Sequence, residues 1–217
     1  MTLKLKLENA LDHCIRLSQS SYESMPWDNK AFYANYMAQT FYYVKHSTRI
    51  LALSAGRLNY EDQQKIHLRF LKHLGEEANH EKLALNDLKF LGHKLEDFPE
   101  LNSTRFFYET QYYKIEHQHP LALMGYILFL EVLAQKVCPP LSAKLSNLYG
   151  KKSATFLLVH GKEDPGHVEE AKKLLSEFDP VALEFIIINL KQSAHAFDNM
   201  MREIAEATHD SRLTNVA

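Results

Sequence analysis

The stretch Tyr60-Glu-Asp-Gln-Gln-Lys-Ile66-His-Leu-Arg-Phe70-Leu-Lys-His73-Leu74-Gly-Glu-Glu77-Ala-Asn-His80-Glu-Lys-Leu83-Ala-Leu-Asn-Asp-Leu88-Lys-Phe-Leu91-Gly92 decides the fold. Its apolar positions Ile66, Phe70, Leu74, Leu83, Leu88 and Leu91 return at helical spacing, which predicts one long helix closed by Gly92. The same stretch carries His73-x3-Glu77-x2-His80. On a helix, offsets of four and seven residues fall within about a 60° arc, so two imidazoles and a carboxylate share one face.

The flanking sequence repeats the helical reading. Leu3, Leu7, Leu11, Cys14 and Leu17 mark a first helix, and Asp28 is a cap for a second that runs to Gly56. After a loop with Pro99, a helix starts near Asn102-Ser103 and covers an aromatic-rich stretch to about residue 118. Pro120 opens the next, which runs through Glu131 and kinks or stops at Pro139-Pro140. Another segment spans about 151–177. The last begins at Asp179-Pro180, with Asp as cap and Pro at the first helical position, and ends near residue 207. No stretch alternates in the manner of a strand between hairpin turns. The expectation is all-α, a single domain over residues 1–217 with its core in about 25–207, built from about seven helices.

Bulk properties exclude several function classes. The chain has 217 residues, 46% of them hydrophobic and 24% charged, which suits one well-cored domain. A net charge of -2 with scattered basic residues gives no electrostatic case for nucleic acid or an anionic membrane. Two cysteines, Cys14 and Cys138, are too few for a disulfide framework. The N-terminus lacks the apolar run of a signal peptide, and the apolar run Phe185–Leu190 is too short to span a bilayer. These features predict a cytoplasmic protein with no membrane partner.

The His-acid-His pattern returns as His160-x3-Asp164-x2-His167. One such triplet is commonly an accident of surface composition. Two of them, flanked by Phe70, Leu74 and Leu83 in one case and by Phe156, Leu157, Leu158 and Val159 in the other, point to burial. Burying these groups unpaired costs several kcal/mol each, whereas a dication compensates the carboxylates and occupies the imidazole lone pairs. Glu131 adds a third acid, set within the apolar run Tyr126–Ala134. Glu77-x2-His80 matches the Glu-x-x-His motif with which helix bundles hold paired irons, and Asp164-x2-His167 is its aspartate version. Glu77, His80, Glu131, His160, Asp164 and His167 make six donors, which is a set for two metals. Pro165 and Gly166 interrupt the second motif. The stretch reads as a kinked helix that still aims its ligands inward, or else as a turn in which Asp164 caps a helix starting at Pro165.

Phe156-Leu-Leu-Val-His160-x3-Asp164-x2-His167-x-Glu169, with Glu76-Glu77-x2-His80-Glu81 and Glu131, resembles the signature of the haem-oxygenase-like diiron oxidases and oxygenases. These are iron-containing redox enzymes related in fold to the TenA and PqqC proteins. The resemblance covers about residues 25–205. It implies a haem-oxygenase-like bundle and a small-molecule substrate, an amine- or carboxylate-bearing metabolite, that reacts with O2 at two Fe(II) ions. Mn or Zn also suits a mixed nitrogen and oxygen donor set. Metal ligation is implied for the six residues above, and a homodimer is expected. His73 stands where some members carry a ligand glutamate, and Tyr43 and His46 lie on the preceding helix. All three are candidates for support around the ligands.

Three other readings remain open at this point. One is a TenA/PqqC-like enzyme without a metal, either a cofactor-independent oxidase or a hydrolase with Cys138 as nucleophile. A second is haem handling through His13. The third is a non-catalytic metal-binding helical protein. An aromatic group on the helix before the central one (Phe106, Phe107, Tyr108, Tyr112, Tyr113), with Tyr42, Tyr126 and Phe129, reads as core or pocket wall. Lys45 and Arg49 are candidates to receive a substrate carboxylate.

Overall fold

Polar side chains cap the starts of four helices, at Thr2, Asn29, Asn59 and Asp179. The computed structural model describes residues 2–162 and 178–214, with side chains up to Thr208. Thr2 accepts a hydrogen bond from Leu5 N and starts α1 (Leu3–Glu23). Asn29, one residue beyond the expected Asp28, caps α2 (Lys30–Val44) by accepting from Ala31 N at 3.1 Å. The helices α3 (Ser47–Gly56) and α4 (Tyr60–Glu76) follow, then α5 (His80–Phe90), α6 (Asn102–His117), α7 (Leu123–Tyr149) and the short α8 (Thr155–His160). Asp179 Oδ1 accepts from both Val181 N and Ala182 N to begin α9 (Pro180–Thr214), as its sequence predicts. The described residues contain no strand.

Two expected helices are interrupted. The one over 28–56 breaks at Lys45-His46 into α2 and α3, and the one over 60–90 breaks between Glu76 and His80 into α4 and α5. Among the described residues, counting each broken pair as one rod leaves seven. The second break turns on Asn79, whose φ of 74° lies in the left-handed region, where asparagine is among the few tolerated side chains. Periodicity misses this turn because the apolar face resumes after it. The halves still pair in order, α3 against α4 and α2 against α5.

Pro139 and Pro140 do not stop the helix: both lie inside α7, which continues to Tyr149. Leu133, Val137 and Cys138 before the prolines and Leu141 and Leu145 after them are all buried, so packing on both sides outweighs the local cost. Pro120 begins a 3-10 turn, Pro120–Ala122, that leads into this helix. By length and composition alone, Pro120–Tyr149 is long and apolar enough to cross a membrane, which the sequence reading overlooked; 61% of its most apolar window is buried inside the fold. It is the central rod, in contact with α1, α6, α8 and α9.

Close approach of α7 to α9 depends on Gly125, where a Cβ would stand 2.3 Å from Ile186 O. At this crossing Asn189 Nδ2 donates to Ala122 O and to Gln111 Oε1 of α6, at 2.7 and 2.8 Å. Gln39 of α2 fixes the loop ahead of α6: its Oε1 accepts from Leu101 N and Thr104 Oγ1, and its Nε2 donates to Pro99 O. Phe107 and Phe129 are core, whereas Phe106 and Tyr113 face outward.

Candidate metal centre

Glu77 and His80 lie on either side of the Asn79 turn rather than on one helix face. Glu77 caps the end of α4 and His80 is the first residue of α5. The turn nonetheless brings Glu77 Oε2 to 3.5 Å from His80 Nδ1. α8 adds His160 as its last residue, with its ring centroid 4.8 Å from that of His80. One donor atom from each of Glu77, His80 and His160 lies within 4.8 Å of the other two. That spacing lets a single cation reach all three.

The protonation states suit a cation. His160 Nδ1 lies 2.9 Å from Phe156 O, so the neutral ring donates there and leaves Nε2 with its lone pair. Burial pushes the His160 pKa below the ordinary imidazole value, against the opposing pull of Glu77. Burial also pushes the Glu77 carboxyl up, but the hydrogen bond from His80 and the nearby His160 and His73 outweigh it and leave the pKa below the usual carboxylate range. At neutral pH the set therefore offers an ionised carboxylate and a neutral imidazole, the forms in which these side chains bind metal. By this test the donors fit a divalent cation of the Fe, Mn or Zn type.

His73 does not join this cluster. Its Nε2 stands 3.5 Å from Glu131 Oε1 and its Nδ1 3.4 Å from Glu76 Oε2. Burial lowers its pKa as well, with Glu77 opposing. Arg69 and Lys72 reach the same Glu76 carboxylate at 3.4 and 3.5 Å. The first sequence triplet thus divides: Glu77 and His80 go to His160, and His73 goes to Glu131. Asp164, His167, Pro165 and Glu169 lie outside the described residues.

A cavity of about 110 Å³ adjoins the cluster, lined by His73, Glu77, Glu131 and His160. Its remaining walls are mostly apolar, among them Val44, Ile50, Leu51, Leu130, Phe156 and Phe197. Tyr22, Tyr36, Tyr43 and Tyr126 add aromatic surface, and Cys138 also reaches it. Burial pushes the Tyr43 and Tyr126 hydroxyls well above the ordinary phenol value, so both stay protonated. Among the described lining residues there is no lysine or arginine. Lys45 instead lies over the Tyr42 ring at 4.9 Å, and Arg49 donates to Lys45 O at 2.6 Å. His46 is held by α6, stacked on Tyr108 at 3.9 Å with its Nδ1 2.9 Å from Tyr112 OH. The sequence reading missed Tyr22 and Tyr36 as wall residues. Tyr36 lies seven residues before Tyr43, so one face of α2 carries both.

A comparison with functionally curated proteins returned no match. Among solved structures, the chain is similar to a domain of unknown function with a heme oxygenase-like fold from Shewanella denitrificans OS217. The TM-score is 0.82 at 24% identity, covering 96% of this chain and 94% of that one. It is also similar to a TenA homolog from Pseudomonas syringae pv. tomato str. DC3000, with a TM-score of 0.76 at 11% identity, covering 92% of this chain and 93% of that one. At these identities the likeness shows a haem-oxygenase-like, all-α fold. The family model described as iron-containing redox enzyme matches residues 34–182, more than half of the chain, and the chain belongs to that family.

Proposed function

We propose that this chain is an O2-dependent non-haem oxidoreductase of the two-iron type, acting on a small organic amine or carboxylate. The observation that carries the reading is the convergence of Glu77, His80 and His160 within 4.8 Å beside a cavity that also receives Glu131. In this reading these four residues, with Asp164 and His167, hold two ferrous ions. Iron bound there supplies the electrons and open coordination positions that O2 chemistry needs.

The protein residues have separable roles. His160 keeps its proton at Nδ1, held by Phe156 O, so that Nε2 stays a donor. Glu77 offsets cationic charge. Glu131 Oε1 and His73 Nε2, 3.5 Å apart, make a place where a proton is held or passed at the edge of the cavity. The apolar walls exclude water and orient the substrate body. With no lysine or arginine among the described lining residues, a substrate amine would pair with Glu77 or Glu131, and a substrate carboxylate would need the charge of bound iron.

The test is O2 uptake after anaerobic loading with ferrous iron. The reading expects uptake above that of free ferrous ion at equal concentration, with the excess lost in Glu77→Ala and His160→Ala. Bound metal without excess uptake would support a non-catalytic metal-binding protein instead. A second reading has one observation in its favour: Cys138 lines the same cavity, as a thiol nucleophile of a metal-free hydrolase would. That reading requires a Cys138→Ser variant to be inactive, and the iron reading requires it to be active.

A further inference from the structure

α5 and α8 meet at two places. At one, His80 and His160 face each other across 4.8 Å. At the other stands Asp87, seven residues beyond His80 and so on the same side of α5. Asp87 is fully buried, and its carboxylate grips the start of α8. It accepts hydrogen bonds from the Thr155 hydroxyl and, at 2.8 Å, from Phe156 N. Phe156, held by its N–H, is the residue whose carbonyl accepts the His160 Nδ1 proton at 2.9 Å. The Phe156 ring also packs 4.1 Å from the His160 ring.

A six-residue helix has little stability of its own, so its placement is decided by what holds it. Tyr33 OH donates to Ser153 O at 2.6 Å just before the helix. Just after it, a Cβ on Gly161 would lie 3.2 Å from both Cys138 Cβ and Pro139 Cδ, so α8 sits close against α7. Asp87 is the only one of these three contacts that binds the same residue as the His160 ring. A buried carboxylate is costly in a fold unless its donors compensate it, and among the described residues those donors, Thr155 and Phe156, belong to α8.

We infer that Asp87 is a positioning residue that acts through Phe156 to hold His160 in the Nδ1–H form, with Nε2 aimed at the Glu77–His80 donors. The inference extends the metal reading of this site and rests on it only for the consequence in iron binding. Two measurements on Asp87→Ala, Asp87→Asn and Thr155→Val separate the parts. The first is a long-range proton–nitrogen spectrum of the histidine rings in the metal-free protein. The wild type is expected to show His160 protonated at Nδ1, and Asp87→Ala to show a mixture of both ring forms.

The second measurement is anaerobic Fe(II) affinity. Asp87→Ala is expected to weaken it by about 10–100-fold, the usual effect of removing a group that orients a ligand. Asp87→Asn, which keeps an oxygen for Phe156 N–H, should lie between the alanine variant and the wild type. Thr155→Val, which leaves the Phe156 bond in place, should stay within a few-fold of the wild type. If Asp87→Ala does not fold, Asp87→Asn carries the test: a shift in ring signals or affinity supports the inference, and no shift in either overturns it. A folded Asp87→Ala with reduced melting temperature but unchanged ring form and affinity also overturns it, because that is a purely structural role. Absence of iron binding by the wild type would defeat the metal reading alone, since the ring spectrum still reports the hold on His160.

Discussion

Replacing Gly125 with alanine probes the crossing that fixes α7, the helix carrying Glu131. The added Cβ would stand 2.3 Å from Ile186 O, 2.6 Å from Leu190 N and 3.2 Å from Asn189 C. All three are backbone atoms, so no rotamer change relieves the clash. Reaching ordinary contact at 3.4 Å requires α7 and α9 to part by about 1.1 Å (3.4 less 2.3). A separation of that size stretches the 2.7 Å bond from Asn189 Nδ2 to Ala122 O beyond hydrogen-bonding range. Overpacking costs about 1–3 kcal/mol and a buried polar group without its partner about another 1–3 kcal/mol. Alanine returns about 1 kcal/mol of helix propensity, leaving a net loss of about 3 kcal/mol.

For a domain of this size that loss lowers the melting temperature by about 6–12 °C, measured by circular dichroism. Gly75 is the internal control. It lies in α4 with nothing within 4 Å of its Cβ position, so Gly75→Ala should gain about 0.5–1 kcal/mol. A Gly125→Ala protein as stable as the wild type, or a Gly75→Ala protein as damaged as Gly125→Ala, would refute the packing argument.

At Asn79, Asn79→Gly should be tolerated, whereas Asn79→Ala should cost about 1–2 kcal/mol because φ is 74°; equal denaturant midpoints for the two would contradict the turn geometry. Burial pushes the Asp87 carboxyl from 3.8 up to about 6, so the native state binds the extra proton between those values. Its contribution is therefore fully present below the unfolded value and declines as pH rises toward 6, by about 3 kcal/mol in all. Asp87→Asn should flatten that part of a stability-against-pH curve for the metal-free protein, and an unchanged slope would argue against it. Cys138→Ser should keep iron binding and O2 uptake, and loss of uptake with iron still bound would favour the thiol.

Much of the fold is legible in the residues themselves. Gly92, at a φ of 84° just beyond α5, and the Asp179-Pro180 pair, which caps α9, end or start helices through local backbone chemistry that can be read from sequence. The start of α6 at Asn102 has no side-chain cap of its own and is held by Gln39 and Glu203 from other helices. The break at Asn79 is also local, but the apolar face that resumes after it hides it. Continuation of α7 through Pro139-Pro140 is not local at all. It depends on burial of the residues on both sides of the prolines, in a helix that packs against α1, α8 and α9. The candidate site divides in the same way. Spacing singles out Glu77, His80 and His160, whereas the diversion of His73 to Glu131 is a tertiary contact between α4 and α7. Asp87 carried a faint signal, an acid between Ala84 and Leu88 on the face that also bears His80.

The central claim is that Glu77, His80 and His160 form the heart of an iron site. Anaerobic titration with ferrous iron, counting ions bound per chain in the wild type and in His160→Ala, tests it most directly. The account predicts at least one tightly bound ion in the wild type, two when both positions fill, and a clear loss in the variant. Fewer than one ion per wild-type chain, or equal binding by the variant, would contradict it.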